Sequence, residues 1–176
     1  MWVREDPLTR LVRRWSACWA RRTGGSISAT TRDRSVSVHW SPTDEEGTDV
    51  TDHATLREWL DRYEAAWRAN DPAQIRALFT DDAVYRWHPW ETGPDAAHGA
   101  EAIATAWLAE PDDPDSWQMR SEPLAVDGDL GVARCEIVYP ATAEAPRRAY
   151  RNLFLIRLTA DGRCRDFTEH YMREPA

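Results

Sequence analysis

Apolar positions recur along this chain at two different periods, and the change of period divides it. From Asp52 to Asn70, Leu56, Trp59, Leu60, Tyr63, Ala66 and Trp67 return at three- and four-residue steps. That spacing predicts an amphipathic helix, capped by Thr51 or Asp52. Asn70-Asp71-Pro72 ends it, because proline disfavours helical geometry in the residue before it. Proline also suits the first turn of a helix, which predicts a second one over Pro72–Phe79 with Ile75, Leu78 and Phe79 inward. Asp81-Asp82 is read as the end of that helix, and Ala83–His88 as a short strand broken into a loop by Pro89 and Gly93-Pro94. A third helix over Ala100–Glu110 carries Ile103, Trp107 and Leu108 on one side.

Beyond Pro114 the period falls to two. Ser116–Val126 and Leu130–Tyr139 flank Asp127-Gly128-Asp129, a strong hairpin signal. Arg147–Thr159 turns at Ala160-Asp161-Gly162 into Arg163–Met172. Helices followed by an antiparallel meander predict an α+β class.

Residues 1–49 read differently. Leu8, Leu11, Val12, Trp15 and Trp19 would line one face of a short Arg-rich helix, and turn-rich and acidic stretches follow. Arginines interrupt any secretory core, which excludes a signal peptide. A transit peptide is one alternative. The favoured expectation is a disordered extension and linker, or translated upstream sequence with the natural start near Val50, leaving 50–176 as the folded domain.

Composition narrows the partners. The net charge of −8 conceals +2 over residues 1–48, where eight arginines face six acids, leaving −10 for the rest. A domain that acidic repels phosphate backbones, so nucleic acid is not an expected partner. No apolar run approaches the ~18 residues of a membrane span. Cys18, Cys135 and Cys164 show no metal spacing and cannot all pair, which fits reduced thiols in a cytoplasm. No HxH, HxxxH or CxxC pair appears, and neither a metal nor a cofactor is expected.

Several spaced residues then form a recognisable set. Tyr63, Asp71, Ile75, Leu78-Phe79, Asp81-Asp82-Ala83, a strand ending in His88-Pro89, His98-Gly99-x-Glu101-x-Ile103 and the Asp161-Gly162-Arg163 turn lie in that order. This pattern resembles the SnoaL-like/ketosteroid isomerase branch of the nuclear transport factor 2-like superfamily, over about residues 52–174. The resemblance implies a cone in which a curved antiparallel sheet wraps around the N-terminal helices. It matches Tyr63 to a tyrosine that donates to an enolate oxygen. The family's general-base aspartate falls at His88 if the loop is two residues longer, and at Trp90 otherwise. A second, acidic oxyanion donor falls at Phe154. With two of three chemical positions changed, steroid isomerisation is not implied, and activity must be argued from the site.

The resemblance also orients the strands. It turns Phe167, Glu169 and Tyr171 toward the pocket, and likewise Tyr150, Asn152, Phe154 and Ile156, since alternate side chains share a face. Glu169, between two aromatic residues, is the carboxyl whose desolvation would favour its neutral form, fitting it for acid–base work. The competing reading pairs it with an arginine or a tyrosine in a purely structural role. His88 is a second proton carrier, although alternation from Tyr85 sends Trp87 inward and His88 outward unless Pro89 bends the strand. Tyr63, Trp67, Tyr85, Trp87, Trp107, Tyr150, Asn152, Phe154, Phe167 and Tyr171 are the expected lining of a site for a small apolar ligand, with Trp59 and Phe79 in the core. Leu153 and Leu155, directed outward, suggest that a second subunit covers the convex sheet face.

The expected function is a cofactor-independent acid–base enzyme of isomerase, cyclase, dehydratase or hydrolase type. Its catalytic residues would be Glu169, His88 and Tyr63. The alternative is a non-catalytic ligand-binding or dimeric interaction module of the same fold. A chain beginning at Val50 is expected to unfold as cooperatively as the full chain in a thermal melt. A large loss of melting temperature on that truncation would assign residues 1–49 to the fold.

Overall fold

Helix α1 (His53–Ala69) starts where Asp52 accepts the Thr55 N–H at 2.7 Å, satisfying one of the free donors of the first turn. It stops at Asn70, which adopts a left-handed conformation (φ 50°), donates its N–H to the Ala66 carbonyl and passes its side-chain amide to the Asp112 carbonyl. Asp71 then caps α2 (Pro72–Leu78), accepting from Ala73 N–H at 2.9 Å. The computed structural model describes residues 51–175, so the expectations for residues 1–49 lie outside the described residues.

Strand β1 spans Phe79–Arg86, beginning four residues earlier than the sequence pattern predicted. Asp81-Asp82 therefore lies inside a strand and does not close a helix. The reason is packing. Phe79 and Thr80 are buried, and the Phe79 ring meets Trp59 edge-on at 6.1 Å, while both aspartates stay exposed. Thr80 donates its hydroxyl to Asp82 at 2.7 Å, which settles that stretch in the strand.

After a single 3-10 turn (Gly93–Asp95) come β2 (Ala97–His98) and α3 (Ala100–Leu108). The four long strands are β3 (Gln118–Asp127), β4 (Leu130–Tyr139), β5 (Arg148–Leu158) and β6 (Cys164–Arg173). Trp117, expected within the first of them, lies just ahead of β3 and is buried. The sheet runs β2-β1-β6-β5-β4-β3. All neighbours are antiparallel except β1 and β6, whose pairing is parallel, so the sheet is mixed where a purely antiparallel one was expected. The long hairpins return β6 alongside β1 in the same direction, and Arg86 and Asp166 join the two strands at 2.8 Å.

The predicted alternation along β5 holds: Tyr150, Asn152, Phe154 and Ile156 are buried, while Arg151, Leu153 and Arg157 are exposed. The register sets Phe154 against Glu169 and Asn152 against Tyr171 on β6. The three helices lie with the α1 rings on this inner face, where Tyr63 meets Phe154 at 5.5 Å and Phe167 at 5.8 Å. Each large apolar side chain buried there contributes about 1.5–3 kcal/mol. The outer face carries ion pairs, including Arg151–Glu136 at 3.0 Å and Arg134–Glu122, that individually add little at the surface. No described helix is long and apolar enough to cross a membrane.

Gly99 joins this sheet to α3. Its N–H donates to the Ala83 carbonyl at 2.7 Å, its φ is +85°, and a Cβ there would lie 2.8 Å from the Asp81 carbonyl oxygen. Both the backbone conformation and the close approach require glycine. Gly99→Ala is expected to destabilise the fold by roughly 2 kcal/mol or more in urea unfolding. A change below about 0.5 kcal/mol would show that the β1–α3 junction tolerates a side chain.

Candidate functional site

Three polar pairs stand on the inner side of the sheet, each supplied by a different combination of elements. The first joins α1 to β1: the hydroxyls of Tyr63 and Tyr85 are 3.3 Å apart, and both residues are buried. Only one of the two can donate to the other, so one O–H proton is left over. Burial first, and the neighbouring Glu169 charge with it, holds both phenols well above their ordinary pKa. They are protonated donors at any physiological pH.

The second pair joins β5 to β6. Asn152 donates its side-chain amide to Glu169 Oε1 at 2.6 Å. Among the described residues Glu169 thus meets neither the arginine nor the tyrosine that a purely structural role had suggested. Desolvation, and then the charge of Glu91, pushes its carboxyl up to about 8. The residue as a whole keeps partial exposure. At neutral pH it is mainly a carboxylic acid, able to donate. The other amide atom, Asn152 Oδ1, is buried and meets no donor among the described residues.

The third pair lies in the loop after β1. His88 Nδ1 and Glu91 Oε1 are 2.7 Å apart, and the second oxygen of Glu91 accepts the Trp87 N–H at 2.8 Å. A turn closes the loop, with Glu91 N–H donating to the His88 carbonyl at 3.1 Å. Strand geometry ends at Arg86, so strict alternation no longer binds the two residues beyond it. Trp87 packs on Tyr85 at 4.7 Å, while His88 meets Tyr171 at 5.1 Å. Trp87 and His88 each contact a ring of the inner-face aromatic groups.

The aromatic residues fall into two groups. Tyr63, Tyr85, Trp107, Phe154 and Phe167 form one cluster. Within it Tyr63 meets Trp107 edge-on at 4.9 Å, and Tyr85 stacks on Phe167 at 4.4 Å. Tyr150, Tyr171 and His88 form the other, with Tyr150 and Tyr171 6.2 Å apart. Asn152 and Glu169 stand between them, flanked on their own strands by Tyr150 and Phe154 and by Phe167 and Tyr171. Phe154 and Phe167 are wholly buried, whereas Trp67, Trp87, Trp107, Glu169, Tyr171 and His88 keep partial exposure. Trp59 and Phe79 are core, as expected.

Trp67 departs from the simple picture. It meets Tyr63 edge-on at 6.3 Å and also stacks on Trp117 at 4.1 Å, with the Arg68 guanidinium 4.2 Å from the Trp117 ring. His98 spans its own loop, its Nε2 2.7 Å from the Gly93 carbonyl, and is exposed. His170 lies on the outer face opposite Leu153. Sequence reasoning missed Glu91 and Trp117. The signal for Glu91 was its place three residues after His88 across a proline, close enough for a carboxylate to reach back.

The fold recurs in known structures. SalBIII, an epoxide hydrolase/cyclase-like enzyme of pyran ring formation in the polyether salinomycin, shares 15% identity over 69% of this chain and 93% of that one, with a TM-score of 0.52. An NTF2-like protein of unknown function from Burkholderia xenovorans LB400 aligns at 16% identity over 70% and 86%, with a TM-score of 0.51. An LEH-like epoxide hydrolase from Mycobacterium tuberculosis aligns at 13% over 68% and 84%, with a TM-score of 0.50. At such identities the likeness is one of fold. No curated protein sequence matches the chain. A family model for the SnoaL-like domain matches residues 60–167, from the middle of α1 to Phe167 on β6. Sequence model and fold agree, and the chain belongs to the SnoaL-like domain family.

Proposed function

We propose that this protein is a cofactor-independent acid–base enzyme acting on a small, mostly apolar compound with a carbonyl, hydroxyl or epoxide oxygen. The observation that carries the reading is Glu169: a carboxyl held largely neutral at pH 7 by aromatic burial, with an amide partner and, among the described residues, no countercharge. A group whose pKa lies near the working pH can both give and take a proton efficiently. The spare hydroxyl proton of the Tyr63–Tyr85 pair supplies a donor for a developing negative charge on the ligand oxygen. Trp67, Trp87 and Trp107, partly exposed, are the apolar walls, and Tyr150, Asn152, Phe154, Phe167 and Tyr171 the floor and sides.

Similar structures that include an epoxide hydrolase and a cyclase-like enzyme are compatible with this class of chemistry, although a shared fold does not by itself fix activity. Glu169→Gln keeps the shape and removes the ionisation. Tested on a panel of ketones, lactones and epoxides, it is expected to reduce turnover at least about 100-fold with the melting temperature retained. Turnover equal to wild type would take Glu169 out of the mechanism.

A second feature concerns assembly. On the outer face Leu153 and Met172 are exposed, Leu155 is half-buried beside them, and the Arg151–Glu136 and Arg86–Asp166 pairs frame the strip. Such a strip fits a homodimer through the sheet, and would also serve the alternative reading as a non-catalytic, dimeric ligand-binding or interaction module. Sedimentation velocity is expected to give a dimer for wild type and a monomer for Leu153→Arg. A wild-type monomer at high micromolar concentration would remove this interface.

A further inference from the structure

Glu91 belongs to no strand or helix, yet its carboxylate is among the better-anchored acidic groups near the site. One oxygen takes the Trp87 N–H at 2.8 Å and the other faces His88 Nδ1 at 2.7 Å, with only about an eighth of either side chain exposed: 13% for His88 and 12% for Glu91. A carboxylate cannot donate, so the imidazole nitrogen facing it must carry the proton. In the neutral ring this leaves Nε2 as an acceptor, and among the described residues nothing bonds to it. The ring plane is fixed on two sides. Trp90 stacks on it at 4.7 Å and 27°, and Tyr171 meets it edge-on at 5.1 Å. Tyr171 is two residues from Glu169 on the same face of β6, a rise of about 7 Å.

We infer that Glu91 is a positioning residue that holds His88 in the Nδ1–H tautomer, so that the site contains a base, His88 Nε2, beside the acid, Glu169. This rests on the acid–base reading and deepens it, because a base and an acid together define the reaction class. A hydroxyl, from the ligand or from water, loses its proton to Nε2 as its oxygen attacks carbon. The carbon–oxygen bond that breaks, or the carbonyl π bond that opens, leaves an oxygen that takes the Glu169 proton. The product holds the same atoms as the reactants, and the proton returns from His88 to Glu169 through solvent. The substrate class is therefore a compound with an epoxide or carbonyl next to a hydroxyl, or one that adds water.

The test uses histidine-ring 15N NMR of the full chain at about pH 9, where unperturbed imidazoles are neutral. His88→Gln identifies the signals. The wild type is expected to show His88 protonated on Nδ1. Glu91→Gln, whose amide oxygen still accepts, should keep that form, and Glu91→Ala should move the proton largely to Nε2. A wild-type Nε2–H ring, or a tautomer unchanged in Glu91→Ala, overturns the assignment; if Glu91→Ala does not fold, the wild-type tautomer decides alone. In parallel, turnover of hydroxy-epoxides and their hydration is measured. Glu91→Ala is expected to lower kcat at least about tenfold with KM little changed, and Glu91→Gln to retain most of it. Equal kcat in Glu91→Ala would overturn the positioning role. No turnover by the wild type would count against the enzyme reading, while the tautomer still reports on Glu91.

Discussion

Everything proposed for this protein depends on the removal of one carboxyl from water. Glu169 sits where β5 and β6 bring two aromatic groups together, and among the described residues it meets a single amide and no cation. Such a group stays neutral far above its solution pKa because ionisation there forfeits hydration without a compensating charge. The arrangement carries a stability cost with a definite sign. With a folded-state value of about 8 against 4.5 for the free side chain, the unfolded chain releases the proton first. Stability from this group is complete below about pH 4.5 and declines through pH 8. The loss is on the order of a few kcal/mol at most, lessened by the residue's partial exposure. A purely structural position gains nothing from such a group, which is a reason to look to function.

The surrounding polar groups make sense as complements to that acid. Two phenols share one hydrogen bond and keep one proton to give, and, after burial, the charge of Glu91 raises the Glu169 pKa. The proposed acid, donor and base come from β6, from the α1–β1 contact and from the loop after β1. The sheet register and the Gly99 junction fix their mutual placement, and no single element carries the site. The parallel pairing of β1 with β6 matters most here, because it sets the end of β1, and so the His88 loop, beside the strand that bears Glu169.

Much of this was legible in the chain. The cap at Asp52, the helix start at Pro72, the hairpin at Asp127-Gly128-Asp129 and the alternation along β5 follow from local rules that tertiary contacts did not override. The early start of β1 was not legible, because aspartates favour helix ends and only the burial of Phe79 and Thr80 outweighs them. The contacts of His88 escaped strand periodicity for a similar reason: the strand had already ended. Glu169 could be singled out by its aromatic neighbours, but its partner could not, since Asn152 faces it across a strand pair whose register is a tertiary property. Glu91 and Trp117 lie in irregular segments, where spacing carries little information about contacts.

The most direct test of this account is a carbon-13 NMR titration of side-chain carboxyls in the folded protein, with Glu169→Gln to assign the resonance. A Glu169 signal that titrates with a midpoint about 8, well apart from the exposed carboxylates, is the result the account predicts. A midpoint between about 4 and 5, the range of an unperturbed glutamate, would mean that the carboxyl is ionised at neutral pH, and the proposed acid would be absent from the site.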